Sequence, residues 1–308
     1  MKIGFIGLGA MGHPIAVNLR RSGHQLHLYD VLPQATGELS ADSVSWVDTP
    51  ARAAEGAEVV FTCLPGPAEV EAVATADDGL LHSMNKGSAW FDFTTNAPQL
   101  MRSLHDKFAA RGIDVLDAPI SGGPKGAASR QLAIWVGGNK KVFEKFSHLL
   151  RELGDEPIHV GPIGSGCIVK LVHNSASFAV QSTIVEPFTM GVKAGIDPTV
   201  LLRALRQGTT GRARTFDRLA EQFLTGDYDP PSFALRLAYK DMNLALALAE
   251  ACGVPMRMVE MATEDMAAAL ARGWGDRDAR VALTLQEERA DVYMKSPSKV
   301  KPGAVEAI

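Results

Sequence analysis

The sequence is short of cysteine. Its three, Cys63, Cys167 and Cys252, stand far apart in 308 residues, with neither the paired spacing of a zinc site nor a framework for disulfides. No metal is therefore expected, and the pattern suits a reducing, cytoplasmic compartment. Net positive charge is also missing. Lys and Arg number 31 against 35 Asp and Glu, a formal charge of −4, and no long Lys/Arg block occurs. That excludes the basic field nucleic acid requires and offers no hold on an anionic membrane surface. No leader is expected, because Met1 and Lys2 run into Ile3–Ile6, which glycines interrupt at once. Such a run is too short for a signal peptide and far too short for a bilayer. No internal repeat is visible. What is present is a globular composition, 46% hydrophobic and 21% charged, in a chain long enough for one large domain or two ordinary ones.

The first half alternates apolar runs with amphipathic stretches. Strands are expected at Lys2–Ile6, Gln25–Tyr29, Val59–Cys63, Ala89–Phe93, Val115–Asp117 and Leu132–Val136, and helices at Gly12–Arg21, Ala68–Ala74 and Gln99–Arg111. Alternation of this kind predicts an α/β fold, a doubly wound, mostly parallel Rossmann sheet with helices on both faces. From about Gly164 the sequence reads as helix after helix, without a strand. Ile168–Lys193 is long enough to suggest a membrane span. It carries Lys170, His173, Asn174, Gln181 and Glu186, however, so a buried helix of a soluble domain is expected, kinked at Pro187. Further helices are expected at Pro198–Gln207, Arg212–Leu224, Phe233–Ala251, Pro255–Arg272 and roughly Arg280–Ala290, with Gly195, Gly253 and Gly273 as caps or turns. The domains expected are 1–163, the α/β half; 164–291, an all-helical domain led by the long interdomain helix; and a tail, 292–308.

Gly7-Leu8-Gly9-Ala10-Met11-Gly12 matches G-x-G-x-x-G. The pattern alone is weak, but here a strand precedes it, a helix follows, and a second strand ends at Asp30. Gly7 permits the tight turn, Gly9 lets the backbone approach a pyrophosphate, and Gly12 lets helix pack on strand. The helix N-terminus offers unpaired N–H groups to phosphate. Asp30 lies 18 positions after Gly12, where a carboxylate accepts both ribose hydroxyls and repels a 2′-phosphate. With no Arg close behind it, the expectation is NAD rather than NADP.

In the long helix Lys170, Asn174, Ser177 and Gln181 recur at steps of four, three and four, one stripe among apolar faces. An ammonium there needs a reason. It either snorkels or pairs with a carboxylate, or it faces a cleft as a proton donor and acceptor near neutrality. The residue pattern leaves both open.

Four motifs in order now carry a resemblance: Gly7–Gly12; Asp117-Ala118-Pro119-Ile120-Ser121-Gly122-Gly123; Gly164-Ser165-Gly166 followed by Lys170 and Asn174; and Lys240-Asp241. Over roughly residues 1–290 the chain resembles the β-hydroxyacid dehydrogenase family. The resemblance implies Lys170 as general acid/base, Asn174 holding substrate or lysine, and the Ser121-Gly122-Gly123 turn binding the substrate carboxylate. It also implies Leu64, Pro65 and Thr95 lining the cofactor cleft, Lys240 reaching cofactor or substrate, and Asp241 supporting the substrate site. Dimers or tetramers built on the helical domain are implied too. The function expected is NAD-dependent hydride transfer with a small β-hydroxyacid such as 3-hydroxyisobutyrate. The alternatives are a reductase of a short semialdehyde or keto acid and, outside enzymes, an NAD sensor with a dead site. The decarboxylating 6-phosphogluconate reaction is not expected, since the chain is short for it and shows no evident phosphate cluster.

Three positions depart from the family pattern. His173 stands where the first of two asparagines is usual and reads as a packing or supporting contact. Lys125 follows the Ser121 turn as a loop charge. Arg130 takes the place of a small residue and bears on the acyl end of the pocket. In the helical half, Gly208-Thr209-Thr210-Gly211-Arg212-Ala213-Arg214 reads as a loop near the far end of the substrate pocket, with Arg212 and Arg214 either solvated or binding a second anionic group. Apolar faces carrying Leu244, Leu246, Leu248, Met256, Met258 and Met261 are expected to support self-association.

Overall fold

In the computed structural model, residues 1–32, 37–40, 42–212, 225–231, 233–251 and 253–291 are described. Their strands are β1 (Lys2–Ile6), β2 (Gln25–Tyr29), β3 (Val44–Trp46), β4 (Val59–Thr62), β5 (Ala89–Asp92), β6 (Asp114–Asp117), β7 (Ile120–Ser121), β8 (Ala133–Gly137) and β9 (Ile158–Gly161). The sheet runs in the order β3-β2-β1-β4-β5-β6-β8-β7, with β9 beside β8. The first six strands pair in parallel, and β8 runs antiparallel to β6 and β7. A 3-2-1-4-5-6 order is the doubly wound dinucleotide-binding arrangement, whose crevice opens beyond the carboxyl ends of β1 and β4.

The sequence makes this sheet by burying both faces. β4 and β5 are buried at every position, the continuous apolar run that a parallel sheet covered by helices requires. Alternate side chains part to the two sides. Phe5, Phe61, Phe91 and Leu116 join one core with Ile15 and Leu19 of α1 (Gly12–Arg21). Ile6, Val60, Trp90 and Val115 join the other. That second face is covered by α2 (Pro50–Ala54), α3 (Pro67–Thr75), α4 (Leu80–Ser83) and α5 (Pro98–Ala109). α6 (Gly123–Ser129) and α7 (Lys140–Arg151) complete the first face, through Ala127 and through Phe146, Leu149 and Leu150.

The six expected strands are present within a residue or two at their ends. The sequence reading passed over β3, β7 and β9, which have three, two and four residues and so carry almost no period. It also passed over α7, although Asn139 caps that helix by accepting from the Lys141 N–H at 3.1 Å.

The helical half comprises α8 (Ser165–Lys193), α9 (Pro198–Gln207), α10 (Thr209–Arg212), α11 (Leu235–Ala251), α12 (Arg257–Ala271) and α13 (Leu285–Ala290). α8 continues through Pro187 for 29 residues. The expected loop at Gly208–Arg214 is instead helical over Thr209–Arg212, and the expected helix Arg280–Ala290 begins as a 3-10 turn, Ala279–Thr284, capped by Asp278. Gly195, Gly253 and Gly273 all adopt positive φ, as helix-ending glycines do. The rest of the expected helix Arg212–Leu224, Arg214 and the tail 292–308 lie outside the described residues. No described helix is long and apolar enough to cross a membrane.

The chain divides into two compact units, Met1–Ala176 and Ser177–Ile308. In the second, Tyr228, Leu235, Ala269, Val281, Ala282 and Leu285 form one core. Ala249, Met256 and Val259 form another, against which Met190, Met242 and Leu246 pack. Leu246 and Met256, expected on an association face, thus pack inward, whereas Met261 is exposed.

Candidate active site

The glycine loop is shaped by three different demands. Gly7 sits at φ +91°, and a Cβ there would overlap the Cys63 carbonyl. A Cβ on Gly12 would overlap the Gly7 carbonyl itself, so only glycine lets α1 start this close to β1. Gly9 differs: nothing lies within 4 Å of the position a Cβ would take. Its backbone is bare toward open space, which is what a pyrophosphate needs in order to reach the loop. Met11 gives α1 no side-chain cap, and the first turn holds no acid, so the N–H groups and the positive end of the helix are left for an anion.

The loop borders a cavity of about 440 Å³, whose walls include Ala10, Met11, Asp30, Leu64 and Pro65. Thr95 is exposed and is not part of that wall. Asp30 ties the glycine loop to the segment that follows β2. Its Oδ2 accepts the Leu8 N–H at 2.6 Å and its Oδ1 accepts the Leu32 N–H at 2.8 Å. The carboxylate is therefore fixed at the end of β2 while both oxygens keep further lone pairs for hydroxyl donors. The bare Gly9, the uncapped helix start and the anchored acid fit a dinucleotide.

Beneath the cavity lies a support the sequence reading did not single out. Asp92, at the end of β5, is fully buried and accepts from Thr62 Oγ1 at 2.7 Å, the Thr94 N–H at 3.2 Å and Asn96 Nδ2 at 3.0 Å. Thr94 Oγ1 in turn accepts the Leu64 N–H at 3.0 Å. One carboxylate thus braces the Cys63–Pro65 turn and the Thr94–Asn96 turn against each other. Burial holds its pKa above the ordinary carboxylate value, and the hydrogen bonds from Thr94, Asn96 and Thr62 oppose that rise. Desolvation of the half-buried Cys63, with Asp92 nearby, pushes its thiol up to about 12. Cys63 is a wall residue in its thiol form and no nucleophile.

A second buried acid organises the lysine. Asp117, which pairs in register with Asp92 across β5 and β6, accepts the Gly164 and Cys167 N–H groups, both at 2.7 Å. It is the anion at the N-terminus of α8. Gly166 follows from this contact, since a Cβ there would overlap the Trp135 carbonyl and crowd Asp117. With the helix so pinned, Lys170 comes one turn later and its Nζ donates to the Ile120 carbonyl at 2.6 Å. Lys170 is 9% exposed, and burial lowers its pKa from the ordinary 10.5. Among the described residues no carboxylate pairs with it, and its partner is the Ile120 carbonyl.

Ile120 immediately precedes Ser121, so the carbonyl that holds Lys170 belongs to the start of the Ser121-Gly122-Gly123 turn. Gly122 and Gly123 take φ of +136° and +63°, and nothing lies within 4 Å of the Cβ position at Gly123. Successive N–H groups in such a turn form a concave anion cradle. Asn174 is one turn beyond Lys170, and its Oδ1 lies 3.2 Å from His173 Nδ1. The His173 ring packs on Trp135, centroids 5.2 Å apart. Lys125 is exposed. Arg130, at φ +61°, directs its Nε to Asn18 Oδ1 at 3.4 Å, a contact with α1. The side chains of Ser177, Gln181, Lys240 and Asp241 lie outside the described ones, as do those of Leu244 and Leu248. Arg212 is exposed.

Comparison with known proteins bears on the same residues. Residues 2–164 match the family described as the NAD-binding domain of 6-phosphogluconate dehydrogenase. Residues 164–285 match the one described as NAD-binding of NADP-dependent 3-hydroxyisobutyrate dehydrogenase. The chain is 32% identical over 293 residues to 2-(hydroxymethyl)glutarate dehydrogenase of Eubacterium barkeri, covering 95% of this chain and 97% of that one. It is 34% identical over 254 residues to 3-hydroxyisobutyrate dehydrogenase of Pseudomonas aeruginosa, covering 81% and 85%. Among solved structures it is similar to Mycobacterium tuberculosis 3-hydroxyisobutyrate dehydrogenase with L-serine, with a TM-score of 0.60 and 28% identity over 92% of this chain and 99% of that one. With both halves matched in order, and with the glycine loop, the Ser121 turn and Lys170 at the start of α8 in one unit, the chain belongs to the β-hydroxyacid dehydrogenase family.

Proposed function

We propose that this oxidoreductase uses NAD to interconvert a 2-substituted 3-hydroxypropionate and its semialdehyde, with Lys170 as the proton acceptor and donor. The observation that carries the reading is Lys170 itself: buried, without a carboxylate partner among the described residues, its pKa lowered, and held at the carbonyl that opens the Ser121 turn. The related enzymes' compounds suggest the substrate class. 2-(Hydroxymethyl)glutarate, 3-hydroxyisobutyrate and serine share one frame, a primary alcohol β to a carboxylate, and differ in the group on C2.

The roles divide along that frame. Gly7, Leu8, Gly9, Ala10, Met11 and Gly12 would hold the pyrophosphate, Asp30 the ribose, and Leu64, Pro65, Thr95 and Lys240 the rest of the cofactor. Bound NAD supplies the hydride acceptor, or as NADH the donor. The Ser121-Gly122-Gly123 turn takes the carboxylate, with Asp241 in support. In oxidation neutral Lys170 accepts the hydroxyl proton; in reduction its ammonium returns a proton to the new alkoxide oxygen. Asn174 donates to the same oxygen or to the carboxylate. Asp30 repels a 2′-phosphate, hence NAD over NADP. Self-association as a homodimer or homotetramer through the helical unit accounts for the exposed Val200, Leu202, Leu205 and Met261. The unpaired thiols Cys63 and Cys167 suit a cytoplasmic setting.

A spectrophotometric panel tests the reading: 3-hydroxyisobutyrate, serine, glycerate and 2-(hydroxymethyl)glutarate with NAD or NADP, and the corresponding semialdehydes with NADH. Turnover of at least one member, with NAD preferred, is expected. Binding of NADH with no turnover of any member overturns it in favour of a sensor.

A further inference from the structure

The described half of α8 presents one face to the sheet. Gly166, Lys170 and His173 follow at steps of four and three, the spacing of a single helix face. Each makes a different contact: Gly166 fits against the Trp135 carbonyl and Asp117, Lys170 reaches Ile120, and the His173 ring lies on the Trp135 ring at 5.2 Å and 47°. Asn174 is the next residue around the helix. Its side chain meets His173, whose Nδ1 lies 3.2 Å from Oδ1.

We propose that His173 is a positioning residue that sets which way the Asn174 amide faces, and that Trp135 holds the imidazole in place to do so. A carboxamide turned through a half-circle exchanges its oxygen for its NH₂. Left alone, Asn174 presents either to a substrate. With His173 Nδ1–H donating to Oδ1, the oxygen is occupied and Nδ2, with its two N–H donors, is what remains to offer. That choice matters to the chemistry, because the substrate oxygens at this site are a carboxylate or an alcohol oxygen gaining negative charge as its proton leaves. A donor stabilises that charge and a facing carbonyl oxygen opposes it. The sequence reading gave His173 as a packing or supporting contact; the ring contact is packing, and the Nδ1 contact adds a direction to its neighbour.

This inference rests on reading Asn174 as a substrate-facing donor, and two variants separate its parts. His173→Phe keeps a ring on Trp135 and removes the donor. His173→Asn removes the ring but keeps an N–H close to the position of Nδ1. Steady-state kinetics with the substrate found in the panel, NADH binding by fluorescence, and melting curves are compared for both. His173→Phe should lower kcat/KM roughly five- to tenfold, the factor one hydrogen bond provides, with NADH affinity and melting unchanged, and His173→Asn should recover most of it. In the double variant His173→Phe/Asn174→Ala the loss should not exceed that of Asn174→Ala alone. Wild-type kcat/KM in His173→Phe, equal losses in the two His173 variants, or additive losses in the double variant each overturn the inference while leaving the Asn174 reading standing. Full activity in Asn174→Ala overturns that reading, and this inference with it.

Discussion

The glycine loop and the lysine helix reach their shapes by opposite routes. The loop is made by what its residues lack: no Cβ at Gly7 or Gly12, where one would strike the backbone, and none at Gly9, where nothing else stands within 4 Å. Its residues are neighbours in sequence, although Gly7 also packs against the Cys63 carbonyl and Leu8 is bound by Asp30. The lysine site is made by partners far apart in the chain, Asp117 to Gly164 across 47 residues and Lys170 to Ile120 across 50. A device made mostly by local backbone shape depends less on the rest of the fold than one built on buried anchors remote from the reacting atoms. The two regions should therefore fail differently when altered.

The largest separation of the two is expected from Lys170→Ala. It should cost roughly 10²–10⁴-fold in turnover, the contribution typical of a general acid or base, with NADH affinity unchanged by titration. Activity within a few-fold of wild type would remove Lys170 from the chemistry. Next is Asp117→Ala, which never touches substrate. It leaves two buried N–H groups without an acceptor at the start of α8, at about 1–3 kcal/mol each. A marked drop in melting temperature together with loss of turnover is the expected result. Unaltered melting and activity would show that the helix is not held from Asp117.

How much of this was legible follows the same division. The loop, Asp30 and the six longer strands could be read because each is announced within a few residues, by glycine spacing or an apolar run. β7 and β9 could not, since two and four residues are given their strand form by β8 beside them. Lys170 was visible as a misplaced charge, but its hydrogen bond to the Ile120 carbonyl, 50 residues away, could not be read from the sequence. Asp92 and Asp117 were in plain view, each closing an apolar strand. An acid at the carboxyl end of a buried strand was the signal that could have marked both. Trp135 gave none, because an aromatic in a strand is usually core.

Smaller effects sharpen the cofactor side. Gly9→Ala should leave melting unchanged, since the new methyl meets only open space, yet weaken NADH about tenfold by standing where the pyrophosphate approaches. Unchanged NADH affinity would mean that the ligand does not reach Gly9. Asp30→Ala should narrow the preference for NAD over NADP by about tenfold, corresponding to ~1.4 kcal/mol of relieved repulsion. A preference that stays the same assigns selection to another residue. Loss of the Leu8 contact also predicts weaker binding of both cofactors in that variant.

The account turns on the protonation state of Lys170, and the pH dependence of turnover in the two directions tests it most directly. Burial lowers this pKa below the ordinary 10.5, so the neutral amine is populated at lower pH than in a free lysine. Oxidation needs the neutral form and should rise with pH through the lowered pKa. Reduction needs the ammonium and should fall through the same midpoint, with both limbs absent in Lys170→Ala. Parallel pH trends in the two directions, or limbs that survive in Lys170→Ala, would contradict the assignment of Lys170 as the proton-transfer group.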